Sequence, residues 1–179
     1  MAGLAGAALR ADGKMNLKRI MRHLSSGRAT VRRAFPPHTL DVIERTIRET
    51  ETTHDGQIRF AVEAALEWAP LLAGQTGKQR AIEIFSRLRV WDTEHNNGVL
   101  IYLLLADRDV EIVADRGIHA RLNREVWEVI CREMEAAFRD GNYEKGVLAG
   151  IRSVGRHLAQ HYPHTGEKRN ELPDRPVLI

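Results

Sequence analysis

NNGVLIYLLLADRDVEIVADRGIH, residues 96–119, decides the fold. Val99 to Ala106 is apolar and β-rich, and it is too short to span a bilayer. Asp107-Arg108-Asp109 breaks it, and Val110 to Ala114 is a second apolar run. Two such runs around a tight polar break read as a β-hairpin. The first run is nearly continuous in its hydrophobicity, so its strand is expected to be covered on both faces. The hairpin therefore belongs at the centre of a sheet with helices on both sides.

The flanking pattern agrees. Before the hairpin, Gln57 to Ala64 alternates Ile58, Phe60 and Val62 with Gln57, Arg59, Ala61 and Glu63, which is strand spacing. Thr39 is placed to cap a helix from Leu40 to about Glu51, with Leu40, Ile43 and Ile47 on one face. Leu66 to Gly77, with Pro70 and Gly74, reads as a linker with room for one helical turn. Lys78 to about Trp91 reads as a helix with Ala81, Ile84, Phe85, Leu88 and Trp91 on its inner stripe. After the hairpin come helices over Leu122 to Phe138 and Tyr143 to about Tyr162. Cys131 lies beside the inner stripe of the first of these and reads as a core thiol. The order helix, strand, helix, strand, strand, helix, helix implies a right-handed parallel crossover followed by a reversal. The expected fold is α/β, a three-layer α/β/α sandwich around a small mixed sheet with a central hairpin.

Three units are expected: a flexible or amphipathic basic arm over 1–34, the domain over 35–162 and a C-terminal tail over 163–179. Residues 1–13 are rich in Gly and Ala and read as disordered, and Met15 is an alternative start. From Lys14 to Arg33 there is no acid. Lys18, Arg19, Arg22, Arg32 and Arg33 are the residues expected at an anionic membrane surface, joined by Lys14 and Arg28. Leu17, Ile20, Met21 and Leu24 fall at helical spacing beside them. The alternative is that this helix packs on its own domain. The tail holds three of the six prolines and many charges, so no core of its own is expected there.

Bulk properties narrow the classes. A chain of 179 residues suits one domain with tails, and a hydrophobic fraction of 43% supports a core. The net charge of +3 is too small to imply nucleic acid, and none is expected as a partner. One cysteine excludes an internal disulfide and fits a reducing compartment. No segment has the roughly 18 apolar residues of a membrane span.

Chain direction points to a site. If strands one and two are parallel and strand three runs back, three polar loops share one edge of the sheet. That edge would gather Glu51, His54, Asp92 and Asp115, with His95 and His119 as weaker candidates. Carboxylates and imidazoles are ligands of divalent cations; oxygen-rich sets favour Ca²⁺ or Mg²⁺, and imidazoles shift preference toward Zn²⁺ or Mn²⁺. The alternative is structural, with Asp92 closing a helix end and Asn96-Asn97-Gly98 chosen for positive backbone angles. Asp107, Arg108 and Asp109, at the far end, read as a solvated turn. No nucleophile elbow, phosphate-cradling loop or dinucleotide turn occurs, and no catalytic residue is assigned.

His54 to Glu63 (HDGQIRFAVE), Val90 to Tyr102 (VWDTEHNNGVLIY) and Ala114 to Ile118 (ADRGI) resemble the TPM domain family. The likeness runs from about Thr39 to Tyr162, and Asn97-Gly98-Val99-Leu100 is its most specific block. It implies a compact α/β/α sandwich. Family members include calcium-binding bacterial proteins and acid phosphatases of the thylakoid lumen, and many have no assigned activity. Where members carry a Gly-x-Gly-Leu-Glu-type stretch, this chain has Asp115-Arg116-Gly117-Ile118-His119. That difference suggests a bacterial, cytoplasmic branch, peripheral to the inner face of the membrane. The implied function is a binding module for a divalent cation (Ca, Mg, Mn or Zn) or an unidentified protein partner. The alternative is a metal-assisted acid phosphatase that hydrolyses phosphomonoesters with a metal-bound water.

Overall fold

The structure is a computed structural model that describes residues 17–164, 166 and 170–179. Lys14 and the readings made for residues 1–13 and Met15 lie outside the described residues. Within them the elements are α1 (Leu17–Ser25), α2 (Arg28–Ala34), α3 (Pro37–Thr50), β1 (Gln57–Glu63), α4 (Trp68–Leu72) and α5 (Gly77–Arg87). The hairpin strands β2 (Gly98–Leu104) and β3 (Asp109–Ala114) follow, then α6 (Arg116–His119), α7 (Arg124–Arg139), α8 (Tyr143–His161) and β4 (Val177–Leu178).

The sheet order is β3-β2-β1-β4. β1 and β2 are parallel, with Gln57 opposite Gly98 and Glu63 opposite Leu104. β2 and β3 are antiparallel, with Val99 opposite Ala114 and Leu104 opposite Asp109. This is the expected crossover and reversal. Every residue of β1 and β2 is buried, because helices cover both faces. Ile58, Phe60, Val62, Val99, Ile101 and Leu103 face one core with residues of α3, α7 and α8. Leu100, Tyr102 and Leu104 face the other, with Ala81, Ile84 and Phe85 of α5, Leu71 of α4 and Ile20 of α1. The fold is α/β, in three layers.

Several boundaries differ from the sequence reading, each for a local reason. α3 starts at Pro37 rather than Leu40, since a proline at the first helical position loses no hydrogen bond. Thr39 is therefore not a cap; its hydroxyl donates to Glu144. α5 stops at Arg87 because Arg89 takes φ +53, and Trp91, expected inside, is 48% exposed. Thr76 caps that helix by accepting from the Gln79 N–H at 3.2 Å. The linker contains the short helix α4, the turn expected there.

The two ends of the chain also differ. Residues 17–34, expected as an arm, form α1 and α2, and Ile20, His23, Val31 and the following Phe35 are buried. The segment 163–179, expected as a tail, supplies β4, which runs parallel to β1 with Ala61 opposite Val177. Two residues are too few to show a strand period. What fixes the segment is polar: the Gln57 side-chain oxygen accepts from the backbone N–H groups of Glu171 and Leu172, both at 3.0 Å. Arg59 donates to the Arg175 carbonyl at 3.2 Å, and Leu172 is buried.

Candidate functional site

The three polar loops meet at one edge of the sheet, as chain direction demands. The Asp115 N–H donates to the Gly98 carbonyl at 2.9 Å, and the Gly117 N–H to the Asn96 carbonyl at 3.1 Å. The Gln57 N–H donates to the Asn97 carbonyl at 3.2 Å, and the Asn97 side-chain amide to the Asp55 carbonyl at 3.0 Å. Asn96 adopts φ +50, a left-handed conformation that asparagine tolerates. Gly117 is needed for contact instead, because a Cβ there would sit 2.6 Å from the Asn96 carbonyl oxygen and 2.8 Å from that of His95.

The six residues expected as ligands do not act as one set. Glu51 is buried and accepts from the Ile58 N–H at 2.8 Å, so it fixes the first turn of β1. His54 is fully buried, and its Nδ1 donates to the Gly56 carbonyl at 3.1 Å. Asp92 is exposed and pairs with Arg89 at 2.5 Å. His95 and His119 are exposed. Asp115 is buried, and one of its oxygens accepts from the Arg116 N–H at 2.7 Å, capping α6. Among the described residues no three His, Cys, Asp or Glu side chains are grouped to hold a metal ion.

Two oxygens at this edge are left over. Asp115 Oδ2 and Asn97 Oδ1 are both buried and have no hydrogen-bond partner among the described residues. The Asp115 N–H bonds to the carbonyl of Gly98, the residue after Asn97, so both residues lie at this edge. A buried acceptor without a donor costs about 1–3 kcal/mol, more when charged. Asn97 was read from the sequence as a turn residue. The usable signal was its polarity directly before a wholly apolar strand.

The opposite edge of the sheet carries the buried ion pairs. Glu63, the last residue of β1, accepts from Arg80 Nε at 2.9 Å and Nη2 at 2.8 Å, and from the Tyr102 hydroxyl at 2.6 Å. Burial, followed by the bond to Glu63, pushes the Tyr102 phenol well above its usual value. Asp107, expected in a solvated turn, accepts from Arg19 Nε and Arg22 Nη2, both at 2.9 Å, and lies 3.1 Å from His23 Nε2. His23 Nδ1 accepts from the Leu66 N–H at 3.0 Å, so the ring proton is on Nε2, facing Asp107. Burial opposes ionisation of Asp107, but the bonds from Arg19 and His23 outweigh it and hold the carboxyl below its usual value. Of the residues expected at a membrane, Lys18, Arg22, Arg32 and Arg33 are exposed, and Arg19 and Arg22 pair with Asp107 in this cluster. The Cys131 thiol is pushed up to about 12 by burial, so it is not a nucleophile at neutral pH.

A three-layer sandwich with a parallel crossover, a hairpin and a polar edge built on Asn-Gly is the architecture of a known class. The profile of the TPM domain family matches residues 32–157, and the chain belongs to that family. The structure is similar to that of the BA42 protein from the psychrophilic bacterium Bizionia argentinensis, with a TM-score of 0.70 and 27% identity. That likeness covers 79% of this chain and 93% of BA42. The N-terminal domain of a protein from P. gingivalis shares the fold, with a TM-score of 0.56 and 20% identity over 72% of this chain and 80% of that domain. No curated protein matches the chain. No helix among the described residues is long and apolar enough to cross a membrane.

Proposed function

We propose that the chain is a TPM binding module whose ligand is an oxygen-seeking divalent cation, held at the sheet edge around Asn97 and Asp115. The observation that carries this reading is the pair of buried, donorless oxygens, Asp115 Oδ2 and Asn97 Oδ1. A hard cation at Asp115 Oδ2 would supply the charge that this buried oxygen lacks. The oxygen character favours Ca²⁺ or Mg²⁺ over Zn²⁺, because the exposed His95 and His119 lie outside the pair. A single carboxylate implies a weak site, with a dissociation constant on the order of 1 mM.

At 10 mM Ca²⁺ such a site adds about 1.4 kcal/mol of stability, a rise of about 3–5 °C in Tm over EDTA. Asp115→Asn should abolish the rise. Melting curves that do not respond to Ca²⁺ or Mg²⁺, or that respond equally in Asp115→Asn, would overturn the reading. The hydrolase alternative uses the same oxygens, and p-nitrophenyl phosphate turnover that disappears in Asp115→Asn would be its signature.

A further inference from the structure

α1 is tied to the segments that flank α4. Arg19 Nη2 donates to the Gln75 carbonyl at 2.9 Å, just after α4, and His23 Nδ1 accepts from the Leu66 N–H, just before it. Ile20, Leu66 and Leu71 are buried in the same core between them. Beside Ile20 on the same side of α1, the rest of the apolar stripe is open: Leu17 is 69% exposed, Met21 58% and Leu24 64%. These residues follow i, i+4, i+7 spacing, which aligns them on one side of the helix. On α4, Trp68 is 57% exposed and Leu72 40%. Single exposed apolar residues are normal on a protein surface, but Leu17, Met21 and Leu24 form a continuous stripe on α1, and Trp68 and Leu72 are exposed on the neighbouring α4.

The charge along α1 and α2 has one sign. Lys18 is exposed on α1, and Arg28, Arg32 and Arg33 are exposed on the adjoining α2. Residues 17–34 contain no acid. Asp107 is already engaged by Arg19 and Arg22, and Glu67 is exposed beside Trp68. Leucine and methionine in a stripe, tryptophan beside it and a basic flank are the chemistry of a helix that lies in a bilayer interface.

We propose that α1 and α4 form a docking surface for an anionic lipid bilayer, with Leu17, Met21, Leu24 and Trp68 entering the headgroup region and Lys18 and Arg28 meeting lipid charge. Arg19, Ile20 and His23 stay inward, so docking needs no opening of the fold. The proposal is independent of the cation site.

The test is sedimentation of the full chain with phosphatidylcholine vesicles, with and without 30% phosphatidylglycerol, in EDTA, where Ca²⁺ cannot contribute. Anionic vesicles should bind at least about tenfold more tightly, each nearby basic residue contributing about 1 kcal/mol. The Met21→Glu/Leu24→Glu double variant changes only exposed positions and should keep the native circular dichroism while losing about tenfold or more in binding. Brominated lipid should quench the protein's fluorescence, and Trp68→Phe should remove that quenching while Trp91 and Trp127 still emit. Equal binding to neutral and anionic vesicles, or unchanged binding by the double variant, overturns the proposal. So does a dimer in sedimentation velocity that the double variant dissociates, since the patch would then face a second copy.

Discussion

The two ends of the β2–β3 hairpin are built from similar residues and do different work. At the turn end, Asp107 is met by Arg19, Arg22 and His23, and nearby Glu63 by Arg80 and Tyr102. Each buried carboxylate there has cationic or hydroxyl donors. At the loop end, Asp115 and Asn97 are as buried, but they spend their bonds on backbone groups and keep one oxygen each without a donor. A protein can bury a carboxylate by supplying its counter-charge or by leaving that charge to a ligand. The first arrangement stabilises the fold, and the second leaves room for function.

The comparison breaks most visibly at Glu63. Arg80→Met should leave its carboxylate buried beside Tyr102 with no counter-charge, at a cost of about 3 kcal/mol. Chemical denaturation would measure this, and a loss below about 1 kcal/mol would mean that water replaces the arginine. Asp107→Asn comes next. It removes the charge that Arg19 and Arg22 of α1 share, so about 1–2 kcal/mol is expected. The loss should be local. Hydrogen exchange should speed up in Leu17–Ser25 while β1 and β2 keep their protection.

The sequence made one of these ends legible and hid the other. Chain direction alone places His54, Asn97 and Asp115 on one edge, because a parallel crossover and a reversal leave no other arrangement. Which atoms remain unpaired there depends on backbone bonds such as that between Glu51 and Ile58, and no residue pattern encodes those. The turn end was hidden for another reason. Asp107 is 88 residues from Arg19, and its burial depends on α1 folding back across the sheet. The run from 17 to 34 shows charge and helical spacing but not the surface against which it packs. Glu63 carried a readable signal, a carboxylate closing an otherwise half-apolar strand. β4 carried almost none, since Gln57 and Arg59 hold that segment through main-chain atoms.

Titration sharpens the contrast within the turn itself. The Asp107 carboxyl is held below its usual value, so the stability it gives is complete above about pH 4 and is lost as pH falls through its folded value. Asp109 goes the other way. Burial, then the charges of Glu135 and Asp107, raise it, and burial likewise raises Glu111. A raised carboxyl weakens the fold when ionised, so these two should make the chain more stable as pH falls through their raised folded values toward the ordinary carboxylate range. Melting temperature against pH should therefore rise and then drop. Asp109→Asn should flatten the rise, and Asp107→Asn should blunt the drop. A profile that Asp109→Asn leaves unchanged would show that this carboxyl is hydrated.

Asp115→Asn should have the smallest effect when no cation is present. The amide keeps an oxygen to accept from the Arg116 N–H, and the substitution removes a charge that no described cation balances. In EDTA the change should not destabilise the fold, because the amide keeps the cap and relieves an uncompensated buried charge. Asp107→Asn swaps the same two side chains, so the pair isolates context from chemistry. If Asp115→Asn costs as much as Asp107→Asn under these conditions, its carboxylate has a counter-charge of its own. The loop end would then be a second braced end, and the case for a ligand there would fall with it.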